Sequence, residues 1–182
     1  MDLDHTLSYT DVPYDLYKSL GFWDRAHWFI RSIGRSSVDA AALGTQYLAK
    51  SPPYIKYRTE LRSLLNLASR DRPIVLATGS PTEIANIVRN DCAFLQTALT
   101  GCVGADKLDA IRSMLSAQDV DPTQNFQDVD HTQNFTYIGD SEHDLPVWAV
   151  ARYPIVIVQN SNVHMIQHWQ KIVPGLIAVS CD

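Results

Sequence analysis

A chain of 182 residues is long enough to bury one full hydrophobic core, so one domain with a modest insertion is the simplest expectation. Hydrophobic residues make up 46% and charged residues 19%, which excludes a disordered chain, and a net charge of −5 argues against a nucleic-acid binder held by a basic surface. No apolar run approaches the ~18 residues of a bilayer span, and the start lacks a basic-then-apolar leader. Cys92, Cys102 and Cys181 form no CxxC pair and leave an odd thiol, so they read as small buried hydrophobes in a reducing, cytoplasmic setting.

The chain opens MDLDHTL, with Asp2 and Asp4 one residue apart. On extended backbone, side chains at i and i+2 point the same way, so this spacing can aim both carboxylates at one site. By itself the stretch also reads as an acidic turn. Residues 9 to 58 are helical in pattern and rich in aromatics (Tyr14, Tyr17, Phe22, Trp23, Trp28, Phe29), closing at Ser51-Pro52-Pro53. They read as a helical insertion whose aromatics mostly supply its own small core.

Beyond it, Leu61, Leu64, Leu65 and Ala68 recur at helical spacing, followed by the apolar run from Pro73 to Ala77. A second short helical pattern carries Ile84, Ile87 and Val88, and a third carries Leu108, Ile111 and Leu115. Residues 119 to 134 are polar, repeat TQNF once Phe135 is included, and read as a surface loop. Two further apolar runs, Phe135 to Ile138 and Pro154 to Val158, are short, branched or aromatic, and bounded by turn formers. Strands alternating with helices predict an α/β fold with a parallel sheet, and ligands of such sheets gather at the carboxyl ends of the strands.

The polar residues fall at those ends. In LATGSPTE, Thr78 follows the first apolar run, and Ser80-Pro81-Thr82-Glu83 reads as a capping box with proline at its first helical position. Such a helix start sets free N–H groups beside Thr78, a natural anion site. Lys107, in GADKLDAI, stands just ahead of the third helical stripe. GDSEHD follows FTYI and brings Asp140, Ser141 and Asp144, of which the last two also suit a helix start ahead of Pro146.

In this order DLDHTL, LATGS, the lone lysine and GDSEHD resemble the four motifs of the haloacid dehalogenase (HAD) superfamily of phosphohydrolases, over nearly the whole chain. The resemblance implies a Rossmann-like parallel sheet with helices on both faces, a core of residues 1–8 and 59–182, and a helical cap of residues 9–58. It implies Asp2 as nucleophile forming an aspartyl-phosphate, Asp4 as general acid and base, and Thr6 as a brace of their turn. Thr6, Thr78, Gly79 and Lys107 would bind the substrate's phosphoryl group, Thr78 and Lys107 counting also as catalytic, and Lys107 would pair with the nucleophile.

Mg²⁺ would be held by the carboxylates of Asp2 and Asp140 and the backbone carbonyl of Asp4, with Asp144 supporting the set from behind. The expected substrate is a small organic phosphomonoester. A phosphotransferase of the same superfamily, or an inactive HAD-like binding or regulatory domain, is the alternative; a dehalogenase needs neither Asp4 nor Asp140.

The family places a hydrophobic strand before the first Asp, whereas only Met1 precedes Asp2 here, so the expectation is a truncated first strand and a missing upstream segment. His5 stands where glycine is commonest. PPYIKYRTELRSLL, RPIVLATGS and GDSEHDLPVWAVAR are similar to HAD domains fused to membrane prenyltransferases, which often have Asn at the place of Asp140. DLDHTL is similar to phosphoserine-phosphatase-like enzymes. The first similarity leaves open an association with a membrane enzyme.

Overall fold

Hydrogen bonding sorts the strands of the computed structural model into two parallel sheets, one of two strands and one of three. Residues 1–48, 53–118 and 134–180 are described; Ser51, Pro52, Cys181 and nearly all of the polar stretch after residue 118 lie outside them. The chain divides into two compact units, Asp2–Cys102 and a second formed by Val103–Asp182 with Met1. The expected α/β organisation with parallel sheets flanked by helices is present, Rossmann-like in type. Where the sequence suggested one sheet, the strands pair as two sets. Among the described residues no helix is long and apolar enough to cross a membrane.

The first unit begins with a tight turn over Leu3–Leu7, closed by the Ser8 N–H donating to the Leu3 carbonyl at 3.0 Å. Asp2 and Asp4 keep extended backbone angles, but His5 at φ 55° turns the chain back. That left-handed angle is easiest for glycine and tolerable for histidine.

Three helices follow: α1 (Val12–Ser19), α2 (Phe22–Ser32) and α3 (Ser37–Gly44). Asp11 caps α1 by accepting the Tyr14 N–H at 2.9 Å, and Pro13 sits in its first turn, where no N–H is missed. These helices share a core of their own. Leu16, Leu20, Trp28 and Tyr47 are buried together, with Tyr17, Leu43 and Leu48 against them. The Trp28 ring stacks on Tyr47 at 6.1 Å, meets Tyr17 edge-on at 5.4 Å, and donates its indole N–H to the Ala40 carbonyl at 2.7 Å. Gly44 is required there, because a Cβ would overlap the Trp28 indole. The other aromatics of α2 do not join this core.

The apolar stripe of α4 (Thr59–Ala68) is narrower than its leucine spacing suggests: Leu61 and Leu65 are buried, while Leu64 is exposed. Strand β1 (Ile74–Ala77) leads to α5 (Thr82–Asp91), which buries Ile84, Ala85 and Val88 on the way to β2 (Leu95–Leu99). β1 and β2 pair in parallel, Val75 opposite Thr97 and Ala77 opposite Leu99.

In the second unit, α6 (Gly104–Gln118) precedes β3 (Thr136–Gly139), α7 (Leu145–Trp148), β4 (Tyr153–Val158), α8 (Ile166–Ile172) and β5 (Ile177–Ser180). The sheet order is β3-β4-β5, all parallel. Trp148 is fully buried, packs against Trp169 at 5.6 Å and donates its indole N–H to the Ile155 carbonyl at 3.1 Å. This arrangement carries β3 directly into the polar residues after Gly139.

Because Trp28 joins α2 to Tyr17, Tyr47 and Ala40 at once, Trp28→Ala should cost about 3 to 5 kcal/mol of stability. Chemical denaturation followed by circular dichroism measures it; a loss under about 1 kcal/mol would mean the aromatic cluster is not a core.

Candidate active site

In the first unit the turn at Leu3–Leu7 gathers polar groups that would otherwise be exposed at a loop. Asp2 is 9% exposed, and its Oδ1 accepts the Leu3 N–H at 2.8 Å, capping the turn. Thr6 is fully buried within it. The Asp4 carboxylate is held at both oxygens: Oδ1 accepts the Val12 N–H at 2.8 Å and Oδ2 accepts the Ser80 hydroxyl at 2.9 Å. The turn's outer carbonyls are tied down by Arg58, whose guanidinium donates to His5 O at 3.4 Å and stacks on the Tyr9 ring at 4.4 Å. The Arg58 N–H donates to Leu7 O at 3.0 Å.

Burial dominates the electrostatics of Asp4 and raises its pKa from 3.8 to about 7. The Val12 N–H opposes the rise, the Asp2 and Asp11 carboxylates add to it, and the Ser80 hydroxyl opposes it last. Two neutral donors are too little to offset lost water and two negative neighbours.

Ser80 corrects the sequence reading. It does not close a capping box: α5 begins after Pro81 without a side-chain cap, and the Ser80 hydroxyl is spent on Asp4 instead. Thr78 is fully buried just past β1, and its Oγ1 accepts the Ser80 N–H at 3.0 Å, a bond that leaves its hydroxyl hydrogen unspent. The Thr78 backbone is fixed by β2, donating to Leu99 O at 2.9 Å and accepting from the Cys102 N–H at 3.1 Å. Gly79 is half-buried between them.

In the second unit Lys107 lies on the buried face of α6, one turn before Ile111. Its Nζ meets Asp144 Oδ1 at 2.9 Å, with the two side chains 2% and 0% exposed. Asp144 collects three more donors: the Tyr137 hydroxyl on Oδ1 at 2.8 Å, and the Asp140 and Ser141 N–H groups on Oδ2 at 3.1 and 3.4 Å. Gly139 makes room, since a Cβ there would overlap the Asp144 carboxylate. A buried carboxylate so enclosed fixes the loop that follows β3.

Asp140 is half-buried at the carboxyl end of β3, its N–H held by Asp144 and its carbonyl by the Asn162 side-chain amide at 2.7 Å. The same amide also donates to Ile157 O at 2.9 Å, so Asn162 staples the Asp140 loop to β4.

The structure therefore brings Asp2, Asp4, Thr6, Thr78, Gly79 and Ser80 into the first unit and Lys107, Asp140 and Asp144 into the second. Sequence reasoning missed Tyr137 and Asn162. Tyr137 was legible as an inward position of its strand, but its partner was not. Asn162 sits in QNSN, a turn cluster whose amide target depends on where two strands end.

No protein-family model and no curated protein matches the chain. Among solved structures it is similar to a protein of unknown function from Bordetella pertussis Tohama I, with a TM-score of 0.64 and 14% identity over 100% of this chain and 96% of that one. At that identity the likeness concerns the fold.

The raised pKa of Asp4 fixes a sign for stability. Its neutral form favours the folded state, a contribution complete below about pH 4 and lost as pH rises through about 7. Asp4→Asn removes this dependence while keeping an acceptor for Val12 N–H and a donor toward Ser80. Thermal melts should show parent and variant converging near pH 4, with the variant more stable at pH 8 by up to about 4 kcal/mol. An unchanged gap across that range would rule out the shift.

Proposed function

We propose that the protein is a Mg²⁺-dependent phosphohydrolase acting on a small organic phosphomonoester through an aspartyl-phosphate on Asp2, in the manner of the HAD superfamily that its four motifs resemble. The observation that carries the reading is Asp4: a half-buried residue whose carboxyl is held by two hydrogen bonds, two residues from a second carboxylate, with a pKa raised to about 7. A general acid and base for neutral solution needs that value.

The resemblance supplies the steps. An Asp2 carboxylate oxygen attacks phosphorus while the Asp4 carboxyl passes its proton to the ester oxygen, which leaves as the alcohol. Asp4, now a carboxylate, takes a proton from water as that water attacks the aspartyl-phosphate. Inorganic phosphate departs and Asp2 is restored. The Ser80 and Val12 donors keep the Asp4 carboxyl aimed throughout. Thr78 offers its hydroxyl hydrogen, and Gly79 its backbone, to phosphoryl oxygens. The motif resemblance gives Lys107 and Asp140 the neutralisation of phosphoryl charge; within its own unit Lys107 is held buried by Asp144, and the Asp140 backbone is pinned at both its N–H and its carbonyl.

The donors assigned to Mg²⁺, the carboxylates of Asp2 and Asp140 and the carbonyl of Asp4, are all oxygen, which suits that ion. When bound, it would offset the repulsion between anionic phosphate and Asp2. The substrate enters by chemistry alone, as a phosphate ester. A cytoplasmic setting is the proposal that accompanies this chemistry.

Hydrolysis of p-nitrophenyl phosphate and of an alkyl phosphate tests the reading. Activity should need Mg²⁺, vanish with chelator and with Asp2→Asn, and fall about 10²- to 10⁴-fold in Asp4→Asn. The Asp4→Asn loss should be larger for the alkyl ester, whose leaving oxygen needs the proton more. Equal losses on both esters would remove Asp4 from the role of acid, and full activity in Asp2→Asn would remove the mechanism.

A further inference from the structure

Asp140 stands between two peptide planes, and both are held. In the plane shared with Gly139, the Asp140 N–H donates to Asp144 Oδ2 at 3.1 Å. In the plane shared with Ser141, the Asp140 carbonyl accepts from Asn162 Nδ2 at 2.7 Å, and the Ser141 N–H donates to the same Asp144 oxygen at 3.4 Å. Because each peptide is planar, holding both planes fixes φ and ψ at Asp140, and with them the direction of its Cα–Cβ bond. Asp144 does this from four residues on in the same loop. Asn162 does it from the turn after β4, 22 residues away.

The other bonds of the Asn162 amide have a local explanation. Nδ2 also donates to the Ile157 carbonyl at 2.9 Å and Oδ1 accepts the Gln159 N–H at 2.8 Å, which closes the turn at the end of β4. Those two bonds satisfy the turn. The bond to Asp140 lies outside it, yet it is the shortest of the three, and the residue that makes it is 6% exposed. A half-buried loop carbonyl could take its hydrogen bond from water at little cost. What the amide adds is a fixed direction for Asp140.

Direction matters most to a ligand with strict geometry. Mg²⁺ demands a near-ideal octahedron of oxygens at about 2.0 to 2.1 Å, whereas Ca²⁺ accepts irregular sets at longer and more variable distances. A carboxylate on a fixed backbone therefore favours Mg²⁺, and one on a loosened backbone loses that advantage. We infer that Asn162 is a positioning residue that sets a preference for Mg²⁺ over Ca²⁺ by fixing the Asp140 backbone. The inference rests on the reading that makes Asp140 a Mg²⁺ ligand.

Titration calorimetry of the full chain with MgCl₂ and with CaCl₂, without any phosphate ester, tests it. Asn162→Ala should weaken Mg²⁺ binding about 10- to 100-fold and Ca²⁺ binding by less than about threefold. Val173→Ala, which truncates a buried side chain at the end of α8, should lower the melting temperature and leave both affinities unchanged. A merely structural Asn162 would behave as Val173 does. Equal losses for the two ions, no loss for either, or a parent chain that binds no Mg²⁺ would each overturn the inference. If circular dichroism shows Asn162→Ala unfolded, Asn162→Ser, with a hydroxyl too short to span both carbonyls, is held to the same outcomes. The phosphatase reading fails separately. Mg²⁺ binding with the Asn162 effect but no turnover of any phosphomonoester overturns that reading alone, and Mg²⁺-dependent turnover with an unchanged ion preference in Asn162→Ala overturns this inference alone.

Discussion

A carboxylate removed from water must be surrounded by donors, and both units are built around that requirement. In the second unit Asp144 meets it in full, with a lysine, a tyrosine hydroxyl and two backbone N–H groups on its two oxygens. Those donors come from α6, from β3 and from the loop after β3, so satisfying one carboxylate fixes three pieces of chain. Removing one partner of such a buried pair leaves an uncompensated charge, at a cost of about 3 to 5 kcal/mol. Gly139 is part of the same constraint, because only a missing side chain lets the carboxylate tuck beneath the strand end.

In the first unit the requirement is met only in part. Among the described residues Asp4 takes a backbone N–H and a serine hydroxyl but no cationic side chain, and it shares its surroundings with two other carboxylates. The same physics that makes Asp144 a support thus makes Asp4 a group that exchanges protons near neutrality. One sequence uses two acids two ways. Incomplete compensation at Asp4 is a stability cost that a purely structural turn would have no reason to carry.

Much of this was legible before any coordinates. The three apolar runs became β1, β3 and β4 within a residue of their expected limits, because each is short, branched and bounded by turn formers. β2 and β5 escaped notice because LQTAL and IAVS are largely unburied and so lack the continuous apolar signal of a strand covered on both faces. The acidic and hydroxyl residues of the candidate site stood out by spacing. Their partners did not: the Ser80 hydroxyl had two plausible targets, its own helix and a carboxylate 76 residues away, and only the fold chooses between them. The division of the aromatics in residues 9–58 was likewise hidden, since Trp28 and Phe29 are neighbours in sequence and opposite in burial.

The central claim is that Asp2 accepts a phosphoryl group. Acid-quenching the protein during turnover of a phosphomonoester with Mg²⁺, then reducing with borohydride and mapping by mass spectrometry, tests it directly. The account predicts one phosphoryl adduct on the intact chain and reduction confined to Asp2. Turnover without any adduct, or an adduct on another residue, would contradict it.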